Sequence, residues 1–285
     1  MKLKNQLKAA FRSLAKNKMR TFLTMLGIII GVASVIAMLA IGQGSRESIQ
    51  SNIASLGTNL LTVYPFASSS GGVRMEAGSS VRLTLEDYNA VATRCPSVMY
   101  SSPTVRTSGQ LIAGGKNWRT SVWGVYPDYF SIRNLKIERG NLFTMNDNRG
   151  SSKVCIIGQT VANNLFGEDV DPIGKQMRIN KIPFKIIGLI AVKGQNAFGQ
   201  DQDDIVLAPF STVQERMLSI TWVNSILVSA YEEKQIPVAT EEITEVLKER
   251  HRLGPSEDPD FTIRTQADIS DAATSTSRAK SSIAG

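Results

Sequence analysis

His251 is the only histidine in the chain, and it sits among Glu249, Arg250 and Arg252. A Ser-His-Asp triad or a multi-histidine zinc site needs more around it than charged neighbours on a helix end. It therefore reads as a solvated residue. Cys95 and Cys155 are the only thiols, and neither belongs to a CxxC pair. Cys95 precedes Pro96, and Cys155 alternates within a strand. A disulfide between them and two packed free thiols both stay open, the second favoured by the strand pattern. Asp201, Asp203 and Asp204 cluster, but they lack the glycine and closing glutamate of a calcium loop, so they read as a solvated strand entrance. Trp118, Trp123 and Trp222 fall in strand-like runs and read as core aromatics, with a partner-facing role as the alternative. No GxxxxGK[ST] phosphate loop occurs, so no P-loop ATPase is expected here. No catalytic, cofactor or metal set is expected either, and enzyme chemistry is the least favoured class.

The elements that position these residues begin with charge. The 285 residues carry 32 Lys+Arg against 25 Asp+Glu, a formal charge of +7, which invites a nucleic-acid reading. Seven of the cations are Lys2, Lys4, Lys8, Arg12, Lys16, Lys18 and Arg20, with no acid among residues 1–20. Removing them leaves 32 − 7 = 25 cations against 25 acids. The body is neutral, which argues against nucleic acid.

Behind the basic segment, Thr21 to Ser45 holds no charged residue. Phe22–Ile41 is long enough, at 1.5 Å per residue, to cross a hydrocarbon core of about 30 Å as a helix. A cleaved signal peptide is the competing reading, but its apolar region runs only about 7–15 residues. Lys16, Lys18 and Arg20 before the span mark its cytoplasmic end, with Arg46 alone close behind it. Everything from about residue 45 onward is then expected outside the cytoplasm. Leu3, Leu7, Ala10, Phe11 and Leu14 recur at helical spacing between cations, the pattern of an interfacial amphipathic helix, a disordered basic tail being the alternative. Gly27 with Gly31 and Ala33 with Ala37 make small-xxx-small pairs suited to helix–helix contact.

Past the span, Ile49, Ile53 and Leu56 extend a helical stripe as a stalk to Gly57. Asn59–Tyr64 reads as a strand, Ser68–Ser80 as a Ser/Gly-rich loop, Thr84 as the capping-box start of a helix to Arg94, and Val98–Thr107 as a strand. From Gly114 come a strand at Trp118–Val125, a turn at Tyr126–Tyr129 and a strand at Lys153–Ile157. A helix at Gln159–Phe166 and a hairpin around Lys181–Pro183 follow. After a loop at Lys193–Gln202, Ile205–Ala208 is a strand, and Ser211 caps a helix to Leu218. Trp222–Ala230, Glu232–Arg250 and Phe261–Thr265 repeat the strand–helix–strand order. This irregular alternation predicts an α+β fold with an inserted subdomain.

The run NKMRTFLTMLGIIIGVASVIAMLAIGQG (17–44), then LGTNLLTV (56–63), resembles the first membrane helix and entry strand of MacB-type ABC transporter permeases. VCIIGQTVANNLFGEDVDPIGKQMRINKIPFKIIGLI (154–190) resembles that family's periplasmic core. By order of elements the likeness covers nearly the whole chain. It implies a single N-terminal transmembrane helix followed by a periplasmic domain of two Porter strand–helix–strand units with an inserted Sabre subdomain. The expected parts are 1–18 interfacial helix, 19–44 transmembrane helix, 45–57 stalk, 58–111 and 221–265 Porter, 112–220 Sabre, and 266–285 the approach to a second membrane helix. Three further spans would follow Gly285, so the chain is expected to be a piece of a longer permease.

The resemblance further implies a bacterial inner-membrane protein, N-terminus cytoplasmic. Such a permease acts as a homodimer with a separate cytoplasmic ATP-binding subunit, a periplasmic adaptor of the membrane-fusion type and an outer-membrane channel. Its implied work is mechanotransmission: cytoplasmic ATP hydrolysis drives periplasmic movement and efflux. FtsX-like relatives imply an alternative, regulation of a periplasmic cell-wall hydrolase, and LolC-like relatives another, lipoprotein release.

Overall fold

A computed structural model of the chain describes residues 18–55, 59–65, 82–168, 170–196, 199–254, 256–265 and 268, with the backbone alone along 45–55. The interfacial stretch 1–17, the Ser/Gly-rich run at 66–81 and the segment 269–285 lie outside the described residues. The chain divides into two compact units, 1–51 and 52–285.

The described part of the first unit is helical: helix α1 runs Lys18–Ser55, its last four residues falling in the second unit. It continues past the charge-free stretch, as the apolar stripe at Ile49 and Ile53 predicts.

The second unit is built on one sheet. Its elements are β1 (Leu60–Pro65), α2 (Leu85–Arg94), β2 (Val98–Ala113), β3 (Lys116–Val125), α3 (Asp128–Ile132), β4 (Ile137–Gly140) and α4 (Met145–Arg149). There follow β5 (Val154–Ile157), α5 (Gln159–Phe166), β6 (Gln176–Ile179), β7 (Ile182–Ile190), β8 (Ile205–Pro209), a π-helix (Thr212–Leu218), β9 (Ser225–Ala230), α6 (Ile236–Arg250) and β10 (Phe261–Thr265). The sheet order is β10-β1-β9-β2-β3-β8-β5-β7-β4, with β6 pairing both β2 and β7.

Two substructures emerge from that order. The strands β10-β1-β9-β2 are antiparallel throughout, and they come from two strand–helix–strand units whose strands interleave, the split βαβ arrangement. Leu61, Val63, Ile226 and Val228 on one face meet Val91, Ile243 and Leu247 of α2 and α6 in a shared core. β2 and five of the remaining strands close on themselves, with β4 left outside as an addition to β7. β2 pairs β3, β3 pairs β8, β8 pairs β5, β5 pairs β7, β7 pairs β6, and β6 returns to β2 at Leu111↔Ile179. This six-stranded barrel has no free edge among its members, which removes a template for unwanted strand pairing. Its interior is filled by Leu111, Val122, Ile157, Met177, Ile179, Phe184, Ile186 and Val206, all at or below 1% exposure.

β2 belongs to both substructures. Its first half pairs β9 and its second half pairs β3 and β6, so one unbroken 16-residue strand ties the split βαβ sheet to the barrel. The β2–β3 turn is Gly114–Gly115, with φ of +57° and +78°. A two-residue hairpin loop of this hand needs positive φ twice, which glycine accepts freely.

Several local expectations meet corrections. Residues 126–129 form more than a turn, since the chain enters helix α3 at Asp128. Strand β4 and helix α4 were not expected; α4 starts on a second capping box, Thr144 with Asp147. Ser211 does not cap the following helix. Its N–H donates instead to Asn148 Oδ1 and its hydroxyl to the Asn148 carbonyl, and the segment winds as a π-helix. β9 starts at Ser225, while Trp222 makes one isolated bridge to Thr84.

Candidate functional site

Between Thr21 and Ile41, helix α1 is apolar on every side. Within Lys18–Gly44 the most apolar 18-residue stretch has a mean hydropathy of 2.5, and none of it is buried. Leu23, Ile28, Ile30, Val35 and Leu39 are all more than half exposed. A helix that is hydrophobic all round and uncovered by protein fits a lipid environment. Two hydroxyls inside the apolar run are satisfied within the helix: Thr24 donates to the Arg20 and Thr21 carbonyls at 3.0 Å, and Ser34 to the Ile30 carbonyl at 2.8 Å. A bilayer core demands such internal pairing because it offers no water.

Lys18 and Arg20 stand at the start of this helix, and Lys16 lies outside the described residues. Gly27, Gly31, Ala33 and Ala37 are all exposed, and a Cβ at either glycine would meet nothing within 4 Å. At 100° per residue the glycine pair and the alanine pair lie about 120° apart, on two different strips of the helix.

The second polar feature lies in the unit 52–285, where α2 and α6 are stitched together. Thr84 caps α2, and Asp87, its N3 residue, returns two bonds: Asp87 Oδ2 accepts from the Thr84 N–H and hydroxyl, both at 2.8 Å. The T-L-E-D spacing predicts this much. It does not predict that Asp87 also accepts from Arg250 Nε at 2.7 Å and faces His251 Nε2 at 3.4 Å. His251 Nδ1 lies 2.6 Å from Asp260 Oδ1, and the ring edge packs on Phe261 at 6.0 Å between centroids.

His251 is therefore not solvated. Its side chain is 9% exposed, between carboxylates that are 4% and 10% exposed. Only the imidazolium can donate from both nitrogens at once, and the bond to Asp87, opposed by burial and aided by Asp260, raises the His251 pKa. Burial pushes the Asp87 carboxyl up, but bonds from His251, Arg250 and Thr84 overcome it and hold the group well below the usual carboxylate range. Two more links run beside this one. Arg94 pairs with Glu249, and the Ser97 N–H and hydroxyl donate to Glu242 at 3.0 and 2.9 Å.

This cluster clasps the two strand–helix–strand units. It offers no nucleophile: the Thr84 hydroxyl is bonded to Asp87 rather than to the imidazole. Asp260 lies nine residues from His251 and Asp87 lies 164 residues away, so only the short Arg250-His251 stretch at a helix end hinted at an ionic role.

In the acidic triplet Asp201 is exposed, as the solvated reading expects, whereas Asp204 is half-buried and Asp203 buried. Asp203 is 6% exposed, and its two oxygens accept the Lys193 and Gly194 N–H groups at 2.8 Å. Asp204 accepts from Trp118 Nε1 at 2.8 Å and Asp201 from the Thr160 hydroxyl at 2.6 Å. The three residues tie down loop ends, and no three metal-capable side chains converge among the described residues. Both cysteines are free and buried. Burial pushes the Cys95 thiol up to about 11 and raises the Cys155 thiol further. Trp118 packs on the main core, and Trp123 packs on a second cluster outside the barrel. Trp222 is half-buried under the Arg82 guanidinium, 3.7 Å from its ring.

The comparisons with known proteins bear on both units. The family described as the MacB-like periplasmic core domain matches residues 21–246. Among relatives, the macrolide export ATP-binding/permease protein MacB of Syntrophobacter fumaroxidans is 34% identical, over 96% of this chain and 46% of its own length. Its counterpart in Bdellovibrio bacteriovorus is 39% identical, over 94% and 41%. The chain thus spans less than half the length of these relatives. The periplasmic region of MacB from Actinobacillus actinomycetemcomitans superposes with a TM-score of 0.63 at 25% identity, covering 79% of this chain and 97% of that one. The extracellular domain of the noncanonic ABC-type transporter YknZ from Gram-positive bacteria shares the fold, with a TM-score of 0.59 at 17% identity over 73% and 100%. An apolar N-terminal helix followed by a domain of periplasmic type fits an inner-membrane protein. The chain belongs to the MacB-like periplasmic core domain family.

Proposed function

We propose that this chain is the first membrane helix and periplasmic domain of a MacB-type ABC exporter, and that it transmits rather than catalyses. An ATP-binding domain, fused or separate, hydrolyses ATP in the cytoplasm. The resulting movement passes along α1 to the domain outside, which works with a periplasmic adaptor and an outer-membrane channel. Lys16, Lys18 and Arg20 hold the cytoplasmic end of α1, and either the Gly27/Gly31 or the Ala33/Ala37 strip packs against a neighbouring membrane helix, including that of a homodimer partner. Residues 58–111 and 221–265 serve as the Porter part and 112–220 as the Sabre part.

The observation that carries this reading is the single family match from residue 21 to 246, which takes in most of the apolar helix and most of the folded unit together. A mechanical role also suits the build of unit 52–285. β2 is continuous through both of its substructures, and charged links clasp α2 to α6, so the unit should move as one body. The test uses the full-length protein that contains this chain, reconstituted in nanodiscs with its ATP-binding domain and a purified periplasmic adaptor. Adaptor-stimulated ATP turnover is expected, and replacing 112–220 by a short linker should abolish the stimulation while membrane insertion is kept. Unchanged stimulation would contradict the proposal.

A further inference from the structure

The outside of the barrel is divided. Over β5 and β8 it is covered, with Ile156 and Leu207 packed under Tyr129, Phe130 and Phe143. Over β6, the second half of β2, β3 and the first half of β7 no described helix covers it, and it carries one sign of charge. Residues 104–125 and 172–192, which form these strands, contain no Asp or Glu. Their outward face and the β6–β7 turn present Arg106, Arg119, Arg178, Lys181 and Lys185, all exposed. None of the five forms an ion pair with a described carboxylate.

The centre of this face is ordered by neutral partners. On β2 and β3, Arg106 stands opposite Trp123, Ser108 opposite Ser121, and Gln110 opposite Arg119. Arg106 Nη2 donates to Ser121 Oγ at 2.9 Å, and Arg119 Nε donates to Ser108 Oγ at 3.2 Å. The Arg106 guanidinium also lies 4.9 Å from the Trp123 ring centroid. Two guanidiniums are thus laid along the sheet from opposite sides of a serine pair, fixed in place without being neutralised. Each engages one of its five N–H donors within the described residues. Arginine held this way is pre-organised for bidentate carboxylates.

We propose that the outward face of β6, β2 and β3 docks an acidic protein surface whose carboxylates stand on a β-strand or hairpin. Carboxylates at alternate positions of a strand repeat about every 6.8 Å, and neighbouring strands stand about 4.8 Å apart. Arg106 and Arg119 start four residues apart on adjacent strands, but their guanidiniums both reach the Ser108/Ser121 pair, so carboxylates on neighbouring strands of a partner can engage the two together. Rigid arginines beside an aromatic ring also fit a protein partner better than a lipid surface, which favours long mobile cations above an apolar face that inserts. β3 and β6 lie within 112–220, the part the exporter reading gives to the adaptor, but the test below uses a peptide with no adaptor, ATPase or channel, so its failure and that of the exporter reading are distinguishable.

The test uses the whole chain in phosphatidylcholine nanodiscs and a disulfide-closed hairpin peptide with Glu at alternate positions of one face. The expected result is saturable binding that weakens with salt. Binding should fall about tenfold or more for Arg106→Gln/Arg119→Gln, while Lys136→Gln/Arg149→Gln, on other parts of the unit, leaves it unchanged. An unchanged urea midpoint of the first double variant shows that the loss is local. The proposal is overturned if the Glu hairpin binds no better than its Gln counterpart or an unstructured peptide of equal charge. It is also overturned if the arginine variant binds normally, or if phosphatidylglycerol vesicles displace the hairpin at equal charge.

Discussion

Removing the Asp87 carboxylate would strand His251 and Arg250 in a part of the domain where the histidine has almost no access to water. Asp87→Ala should therefore destabilise unit 52–285 by about 3 kcal/mol, the scale for breaking one partner out of a buried charged cluster. His251 gives a contribution with a distinct pH signature. Its pKa is raised above the ordinary 6.5 by Asp87 and Asp260, so its contribution is complete below pH 6.5 and is lost as pH rises through the raised value. Asp87 has the opposite sign: its pKa is lowered from 3.8, so its contribution is complete above that value and fails only in stronger acid. The gap in urea midpoint between the protein and His251→Gln should be wide near pH 6 and narrow toward pH 9. A gap that is flat with pH would show that the imidazole is not held charged. Cys95 and Cys155, buried and with raised pKa values, should resist maleimide until the unit is unfolded. At this scale the sequence reveals pairs that are close along the chain, as in the Thr84–Asp87 capping box. It conceals Asp87–His251, whose members meet only after two separate strand–helix–strand units have interleaved.

Elements were legible where their periodicity is strong. α1, α2, α5, α6 and most strands fall within a few residues of their expected ends, because alternation and capping signals are local. The closure of the barrel was not legible. It depends on β6 returning to β2 at Leu111↔Ile179 and Ile112↔Arg178, a pairing between positions more than sixty residues apart that no local pattern encodes. The π-helix was missed for a similar reason, since Ser211 bonds Asn148 rather than its own helix. Two glycines in the barrel wall mark how close the interior packing is. A Cβ at Gly109 would stand 2.7 Å from Ile179 and Val122 side-chain carbons, and one at Gly124 would stand 2.7 Å from Val105 and Val213. Gly109→Val or Gly124→Val should lower stability by about 1–3 kcal/mol through overpacking, read as a shift in urea midpoint, whereas Gly115→Ala tests the turn alone. In α1, a charge at the centre of the apolar run costs about 2.5–3.5 kcal/mol of insertion. Val35→Asp should accordingly move much of the protein out of the membrane fraction, and an unchanged distribution would argue against a spanning helix.

For the molecule as a whole, charge and hydropathy are segregated along the chain. The cationic excess lies in the first 20 residues, the apolar run follows, and the remainder is neutral. This segregation was plain in the sequence because it needs no long-range pairing, and it leads to the central claim that α1 threads the bilayer and delivers unit 52–285 to the outer side. The most direct test is accessibility of a single new thiol. Lys181 is exposed on the barrel surface, while both native cysteines are buried and contribute little background. Lys181→Cys should react with a membrane-impermeant maleimide in intact spheroplasts, before any lysis. Labelling that appears only after the membrane is opened would place the domain in the cytoplasm and contradict the account.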